Sequence, residues 1–323
     1  MLSVYVPHDS ILERVPVEPG EPLPEAAVWI DLVSPAANED KIVEALLGIA
    51  VPTREEMQEI EVSSRLYVEN GARYMTATLM CRSDTALPSA TPVTFILSGH
   101  RLATVRYDDP RPFAIVEHRL ARSCPPKVSG DTVLMDLLDA VIDRSADILE
   151  RIGAEVDQIS HAIFEPDDDK ATPSYTDILK ALGRKGDLTS KVRESLVSIG
   201  RLLLFLANEA EAMKWTKDKR SQLQTMQRDV VSLSDHASYL TNKITFLLDA
   251  MLGVVNIQQN NIIKIFSVAA VVLMPPTLVA SIYGMNFKHM PELDWHFGYP
   301  LALIVMIAAA VMPYLYFKWR KWL

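Results

Sequence analysis

Two long uncharged stretches near the C-terminus constrain the fold of this chain more than any other feature. Residues 265–283 and 297–317 contain no Asp, Glu, Lys or Arg, and only 13 residues separate them. A helix of about 20 such residues spans the roughly 30 Å hydrocarbon layer of a bilayer. A buried core helix is the alternative for each stretch, but two in immediate succession favour the membrane. The sequence therefore predicts two transmembrane helices at the end of the chain.

Basic residues next to these stretches predict how the chain crosses the membrane. They precede the first span and follow the second, whereas the connecting loop, 284–296, carries one Lys and two acids. Because cytoplasmic segments carry the excess of Lys and Arg, both termini are expected in the cytoplasm and the loop outside. We predict a multi-pass protein of the plasma (inner) membrane, in contact with the lipid bilayer. The residues concerned are Lys264, Lys288, Glu292, Asp294 and, in a basic cytosolic tail over 318–323, Lys318, Arg320 and Lys321.

The charge of the remaining chain excludes one class of partner. The whole chain has 32 Lys and Arg against 41 Asp and Glu, net −9, whereas residues 261–323 alone carry +3. The preceding 260 residues therefore carry −12. Nucleic acid needs stripes of Lys and Arg to neutralise its phosphates, so no nucleic acid partner is expected, whereas cations suit an acidic body. No nucleotide-binding loop or hydrolase motif is present, and an enzyme is not predicted.

The chain before the spans divides into an α+β domain and a helical region. Short β-branched and aromatic runs bounded by turn residues are typical of strands, and a Pro-Pro pair followed by Ser-Gly-Asp is typical of a boundary. We predict a cytosolic α/β domain over 1–126 and a cytosolic helical region over 127–216. Strands are expected at 2–8, 28–34, 66–69, 72–81 and 92–106, and helices near 37–48, 53–63, 111–123, 131–163 and 173–210.

A long helical stalk, continuous with the first span, is expected over 217–283. Apolar residues recur with alternating spacings of three and four from Leu223 to Val254. This heptad pattern is typical of coiled-coil-like packing, either on other helices of the same chain or on further copies of it. The amide-rich run 256–261 then indicates a hydrated opening or a polar boundary at the lipid headgroups. Pro275 and Pro276 inside the first span indicate packing against protein or a cavity.

The loop between the spans contains the motif on which the functional prediction depends. Tyr-Gly-Met-Asn-Phe occupies 283–287, and Met-Pro-Glu-Leu occupies 290–293. Gly284 is expected to end the first helix in a left-handed conformation, after which Asn286 presents a neutral amide at the outer membrane face. Mg²⁺ loses its water reluctantly, so a ring of amides that contacts the hydration shell is a suitable first site. Two spans per chain cannot enclose a polar path, so a pore needs several copies.

With this motif, about 70 C-terminal residues closely resemble the CorA family of magnesium, cobalt and nickel transporters. The resemblance implies a funnel-shaped homopentameric channel whose pore is lined by the first span and surrounded by the second. By position it implies an ion-selectivity filter at Gly284, Met285 and Asn286, in which Gly284 and Asn286 hold hydrated Mg²⁺. It further implies the pore-lining residues Asn260, Ile263, Phe266, Met274 and Thr277, of which Ile263 and Phe266 form the gate.

Regulation is also implied by the resemblance. Intracellular Mg²⁺ bound by carboxylates between cytosolic domains would favour the closed state, because like charges repel when the ion leaves. Asp84, Asp136 and Asp139 are the expected regulatory ligands, while Thr225 stands where some relatives have Asp. In the external loop, Glu292 and Asp294 are expected to offset Lys288. The imidazoles of His289 and His296 would favour softer metals such as Ni²⁺, Co²⁺ or Zn²⁺.

Three functional hypotheses remain open at this point. The first is Mg²⁺ influx driven by the membrane potential and gated by intracellular Mg²⁺, with Co²⁺ and Ni²⁺ as further substrates. The second is a zinc transporter of the same superfamily. The third is a membrane-anchored oligomeric scaffold that carries no ion.

Overall fold

The structure, a computed structural model, describes residues 1–17, 23–85, 87–125, 127–165, 174–286, 288, 290–291 and 295–320. The chain forms two compact units, Met1–Leu247 and Leu248–Leu323. The α+β part, the helical region and the first part of the stalk therefore belong to one unit. The predicted divisions between 126 and 127 and between 216 and 217 stay predictions.

A mixed seven-stranded sheet organises the first unit. Its order is β2-β1-β3-β7-β6-β5-β4, and the paired strands run antiparallel except β3 and β7, which run parallel. The sheet confirms the α+β prediction. The strands are β1 (Leu2–His8), β2 (Ile11–Val15), β3 (Trp29–Val33), β4 (Leu66–Glu69), β5 (Ala72–Cys81), β6 (Ser89–Ser98) and β7 (Arg101–Arg106).

Eight helices complete the described part of the chain. The prediction of one helix over 53–63 is wrong, because two single turns occupy this stretch with a break between them. The second span begins one residue later and ends two residues later than predicted. The helices are α1 (Ala37–Leu47), α2 (Arg54–Met57), α3 (Val62–Arg65), α4 (Arg111–Leu120), α5 (Gly130–Phe164), α6 (Tyr175–Glu209), α7 (Lys217–Tyr283) and α8 (Gly298–Trp319).

Turns explain the two strand predictions that differ from the structure. The single run predicted over 92–106 is two antiparallel strands, because Gly99 takes a left-handed conformation (φ 57°) and reverses the chain. Strand β2, which was not predicted, pairs with β1 through a tight reversal in which Asp9 also has positive φ. A short strand such as β2, with Glu13 and Arg14 in five residues, has little of the apolar alternation that identifies strands.

Helices cover both faces of the sheet. On one face, Val43 of α1 and Met57 of α2 join Ile30, Leu32 and Ile96 in a fully buried apolar core. On the other face, α5 and α6 pack against the central strands. Such double coverage accounts for the almost continuous burial of β5, whose residues point to an apolar layer on either side.

A hydrogen-bonded chain of polar side chains lies within the sheet. The Arg106 guanidinium donates to both carboxylate oxygens of Asp31, at 2.8 and 3.2 Å, from the neighbouring parallel strand. Thr104 donates to the same carboxylate at 2.7 Å and accepts from Trp29 Nε1 at 3.0 Å. Arg106 also pairs with Asp109. The side chains of Arg106 and Asp31 are only 9% and 3% exposed, so this ion pair is buried.

The heptad seam of α7 packs within the same chain as far as Leu247. Glycines on the neighbouring helices allow close approach: a Cβ on Gly153 of α5 would lie 3.8 Å from Leu240, and one on Gly200 of α6 would lie 3.4 Å from Val230. This arrangement supports the first of the two predicted alternatives for the first unit. Buried seam residues in it are Leu223, Met226, Val230, Ala237, Leu240, Ile244 and Leu247, while Leu233 is partly buried.

Candidate functional site

Among the described residues, two helices are long and apolar enough to cross a membrane, α7 and α8. Almost none of their most apolar stretches is buried within the protein. Large apolar side chains are instead exposed, for example Phe266 (72%), Met274 (69%) and Met312 (72%). A core helix would bury such side chains, so this exposure disfavours the core-helix alternative and fits contact with lipid or with other copies.

The five predicted pore-lining residues occupy one side of α7. At 100° per residue, positions 260, 263, 266, 274 and 277 fall within an arc of about 120°. The three apolar members are well exposed, and so are Asn260 and Thr277. The helix thus presents a strip that combines an amide, a hydroxyl and apolar groups.

Two consecutive prolines lie inside α7 without ending it. Pro275 and Pro276 have no N–H, so the carbonyls of Val271 and Val272 have no backbone donor at position i+4. The Thr277 hydroxyl donates to the Leu273 carbonyl at 2.7 Å. The helix thus has two carbonyls available to neighbours on the turn preceding the prolines, as expected for a span that packs against protein or a cavity.

The Gly-Met-Asn segment follows directly where α7 ends at Tyr283. The prediction of a left-handed Gly284 is wrong, since positive φ among the described glycines occurs only at Gly48, Gly71 and Gly99. The Gly284 N–H donates to the Ala280 carbonyl at 3.0 Å, and an added Cβ would lie only 3.2 Å from that oxygen. A side chain at position 284 would therefore crowd the last helical turn. Met285 and Asn286 are exposed beyond it.

The loop between α7 and α8 is described in part. Lys288 is exposed, and His296 is exposed with its ring edge-on to Phe297 at a centroid distance of 6.3 Å. The predicted residues His289, Glu292 and Asp294 lie outside the described residues.

Asp84 lies among arginines. Its carboxylate accepts from Arg111 at 2.8 Å and from Arg144 at 2.6 Å, and it also pairs with Arg151. Hydrogen bonds from Arg151 and Arg144 lower the pKa of Asp84 to about 2 against the opposing effect of burial. Its role as a regulatory metal ligand stays a prediction that these cations disfavour. The sequence contained no local signal for the cluster, because its members are 27 to 67 residues from Asp84.

Asp136 and Asp139 lie on α5 in an acidic setting. Asp136 pairs with Arg119 at 3.1 Å, yet burial raises its pKa above the usual value. Burial and then the charge of Asp143 raise the pKa of Asp139, and Asp229 of α7 adds to the effect. Within the described ranges, no three His, Cys, Asp or Glu side chains are grouped so as to hold a metal ion. A metal ion bound at Asp136 and Asp139 would therefore need further ligands from outside the described residues or from another copy of the chain.

The fold and the exposed apolar helices define a class: a two-span membrane protein in which an α+β unit precedes a long helix that carries a Gly-Met-Asn segment at its end. Residues 24–319 match the family of CorA-like Mg²⁺ transporter proteins. The chain is also 38% identical over its full length to the magnesium transport protein CorA of Escherichia coli strain K12, of which it covers 100%. The chain belongs to the CorA family.

Solved structures agree with this fold. The complete CorA magnesium transporter of Methanocaldococcus jannaschii matches with a TM-score of 0.77 at 17% identity, covering 100% of this chain and 99% of that one. The cytoplasmic domain of ZntB from Vibrio parahaemolyticus matches with a TM-score of 0.53 at 12% identity, covering 79% of this chain and 97% of that one. These likenesses support the fold alone. The relatives are named magnesium transport proteins, which confirms the prediction that the chain is not an enzyme.

Proposed function

We propose that this protein carries Mg²⁺ into the cell across the inner membrane, as a homopentamer with both termini in the cytoplasm. The observation that carries the proposal is the full-length identity of 38% to the magnesium transport protein of E. coli. That identity extends over 100% of both chains, so it includes the two apolar helices and the Gly-Met-Asn segment between them.

The ion path runs along the first spans of the assembled copies. Each copy contributes the strip of α7 from Asn260 to Thr277, and α8 lies outside it. At the outer end, Asn286 amides and Gly284 carbonyls contact the hydration shell, so the ion enters without losing its water. A neutral ring holds the ion weakly enough to release it, whereas a carboxylate ring would hold it longer.

Closure takes place at the cytosolic end of this strip. Ile263 and Phe266, 54% and 72% exposed in the single chain, form an apolar constriction that excludes water when narrow. Intracellular Mg²⁺ bound between copies at Asp136 and Asp139 favours this state, and we leave Asp84 out because three arginines already neutralise it. Influx follows the membrane potential, and Co²⁺ and Ni²⁺ are further substrates.

Flux into liposomes that contain the purified full chain tests the proposal. We expect Mg²⁺ entry that increases with an inside-negative potential and is lost in Asn286→Ala while the oligomer still assembles. Asn242→Ala is the matched control, because Asn242 is also an exposed amide of the chain but lies in the first unit, on α7. Mg²⁺ entry that persists in Asn286→Ala would refute the filter assignment.

The same assay separates the other hypotheses. Entry of Zn²⁺ without Mg²⁺ would identify a zinc transporter instead. Absence of flux for either ion in the parent protein would leave the scaffold hypothesis. A Mg²⁺ flux blocked by Mg²⁺ inside the liposomes, and relieved in Asp139→Asn, would support the regulatory site.

A further inference from the structure

A cavity of about 310 Å³ lies in the first unit. None of its lining residues belongs to α7 or α8. Its walls come from the connection after β5, from α5 and from α6. Three of its lining side chains are cationic, Arg151, Arg184 and Lys185, and two are anionic, Asp84 and Glu155. A positively charged recess is unexpected in a chain of net charge −9.

The wall of this cavity is built around one carboxylate. Arg111 and Arg144 both donate to one oxygen of Asp84, and Arg151 pairs with the other. The Ser83 carbonyl accepts from Arg151 at 2.8 Å, and its hydroxyl accepts from Arg144 at the same distance. These contacts hold the guanidinium groups in place before any ligand arrives.

The cations at the cavity exceed the anions available to them. Five cationic side chains, the three in the lining and two more on Asp84, stand against three carboxylates, those of Asp84, Glu155 and Asp147, the last of which lies 4.0 Å from Arg144; this leaves a net charge of +2. Lys185 is paired with Glu155, but in the part of the chain that the structure describes Arg184 has no ion pair or hydrogen bond. Each guanidinium also carries five N–H donors, far more than Asp84 and Ser83 can accept.

We infer that this cavity binds a phosphate group of a soluble anion, between Arg151 and Arg184. A phosphate group has several acceptor oxygens and more than one negative charge. These match the surplus of guanidinium N–H donors, because guanidinium groups bind phosphate in a bidentate manner. The volume is at the lower end for ligand sites, which suits inorganic phosphate, pyrophosphate or the phosphate end of a larger molecule. The inference is independent of the proposed transport activity.

Calorimetric titration of the full chain in detergent, without Mg²⁺, tests the site with pyrophosphate and with inorganic phosphate. We expect saturable binding at one site per chain, tighter for pyrophosphate, and no comparable binding of chloride. Arg184→Ala should weaken binding by roughly three- to tenfold, because the substitution removes one charge-assisted hydrogen bond at an exposed position. Because Arg184 is exposed and unpaired in the described chain, this variant should fold normally.

Arg193→Ala is the matched control. Arg193 is also an exposed arginine of α6, but it is not part of the cavity lining. Unchanged affinity in this control, together with weaker binding in Arg184→Ala, supports the site. Lack of saturable binding at millimolar pyrophosphate, or equal loss in both variants, would overturn it, because the anions would then only screen general surface charge.

Discussion

The buried ion pair between Asp31 and Arg106 yields the sharpest prediction about stability. Removing the carboxylate in Asp31→Ala leaves a guanidinium that is 9% exposed without its bidentate partner, and leaves the Thr104 hydroxyl without its acceptor. Loss of one member of a buried pair costs about 3–5 kcal/mol. For a unit of this size, about 2–4 °C of melting temperature correspond to each kcal/mol, so we expect a decrease of roughly 6–20 °C.

Thermal unfolding of the full chain in detergent, followed by near-ultraviolet circular dichroism, measures this decrease. Asp187→Ala is the control, because Asp187 pairs with Lys191 at 2.7 Å across one helical turn and is 57% exposed. That pair should contribute only about 0.5 kcal/mol. The double substitution Asp31→Leu with Arg106→Met should recover most of the loss, since apolar replacement of a buried pair is often nearly neutral.

Asp31 and Arg106 should be strongly coupled in their contributions to stability. If the costs of Asp31→Ala and Arg106→Ala add within about 0.5 kcal/mol in the double variant, the side chains act independently. The loss would then not come from leaving the buried Arg106 guanidinium without its bidentate partner, and only the exposed carboxylate of Asp109 would have been needed to hold it.

Three further predictions concern the first unit. Gly130→Ala should lower the free energy of unfolding by about 3 kcal/mol, because an added Cβ would lie 2.4 Å from the backbone nitrogen of Leu102; circular dichroism and yield should show a lower melting temperature and lower expression. Cys81 should resist maleimide at neutral pH until the protein unfolds, because burial raises the pKa of its thiol to about 12; mass spectrometry detects labelling. Burial raises the pKa of Asp131, but the Lys219 ammonium, at 2.5 Å, and neighbouring hydrogen bonds lower it more. The pair should therefore stabilise the fold above about pH 4 and lose this effect as the pH falls, a dependence that Asp131→Asn should reduce in melting curves.

Local patterns made the helices and spans predictable. The uncharged runs depend only on neighbouring residues, and the end of α1 at Gly48 follows from its left-handed conformation (φ 64°). Strand β2 was missed because its stability comes from pairing with β1, which a short charged run does not indicate. Non-local contacts were equally hidden, because the arginines around Asp84 come from two separate helices. The close approach at Gly284 likewise needed coordinates, since sequence indicates a helix end but not its conformation.

The composition of the α7 strip favours an assembly over a single chain in lipid. Phe266 and Met274 suit contact with lipid tails, but Pro275 and Pro276 leave the carbonyls of two valines in the same span, Val271 and Val272, without a backbone donor. A polar group in hydrocarbon without a hydrogen-bond partner costs several kcal/mol, so lipid alone is a poor neighbour for this span. Water alone is equally poor, because it would meet the large apolar side chains of the strip. Copies of the chain arranged around a narrow hydrated axis satisfy both kinds of side chain, with amides in water and apolar groups packed together where the path closes.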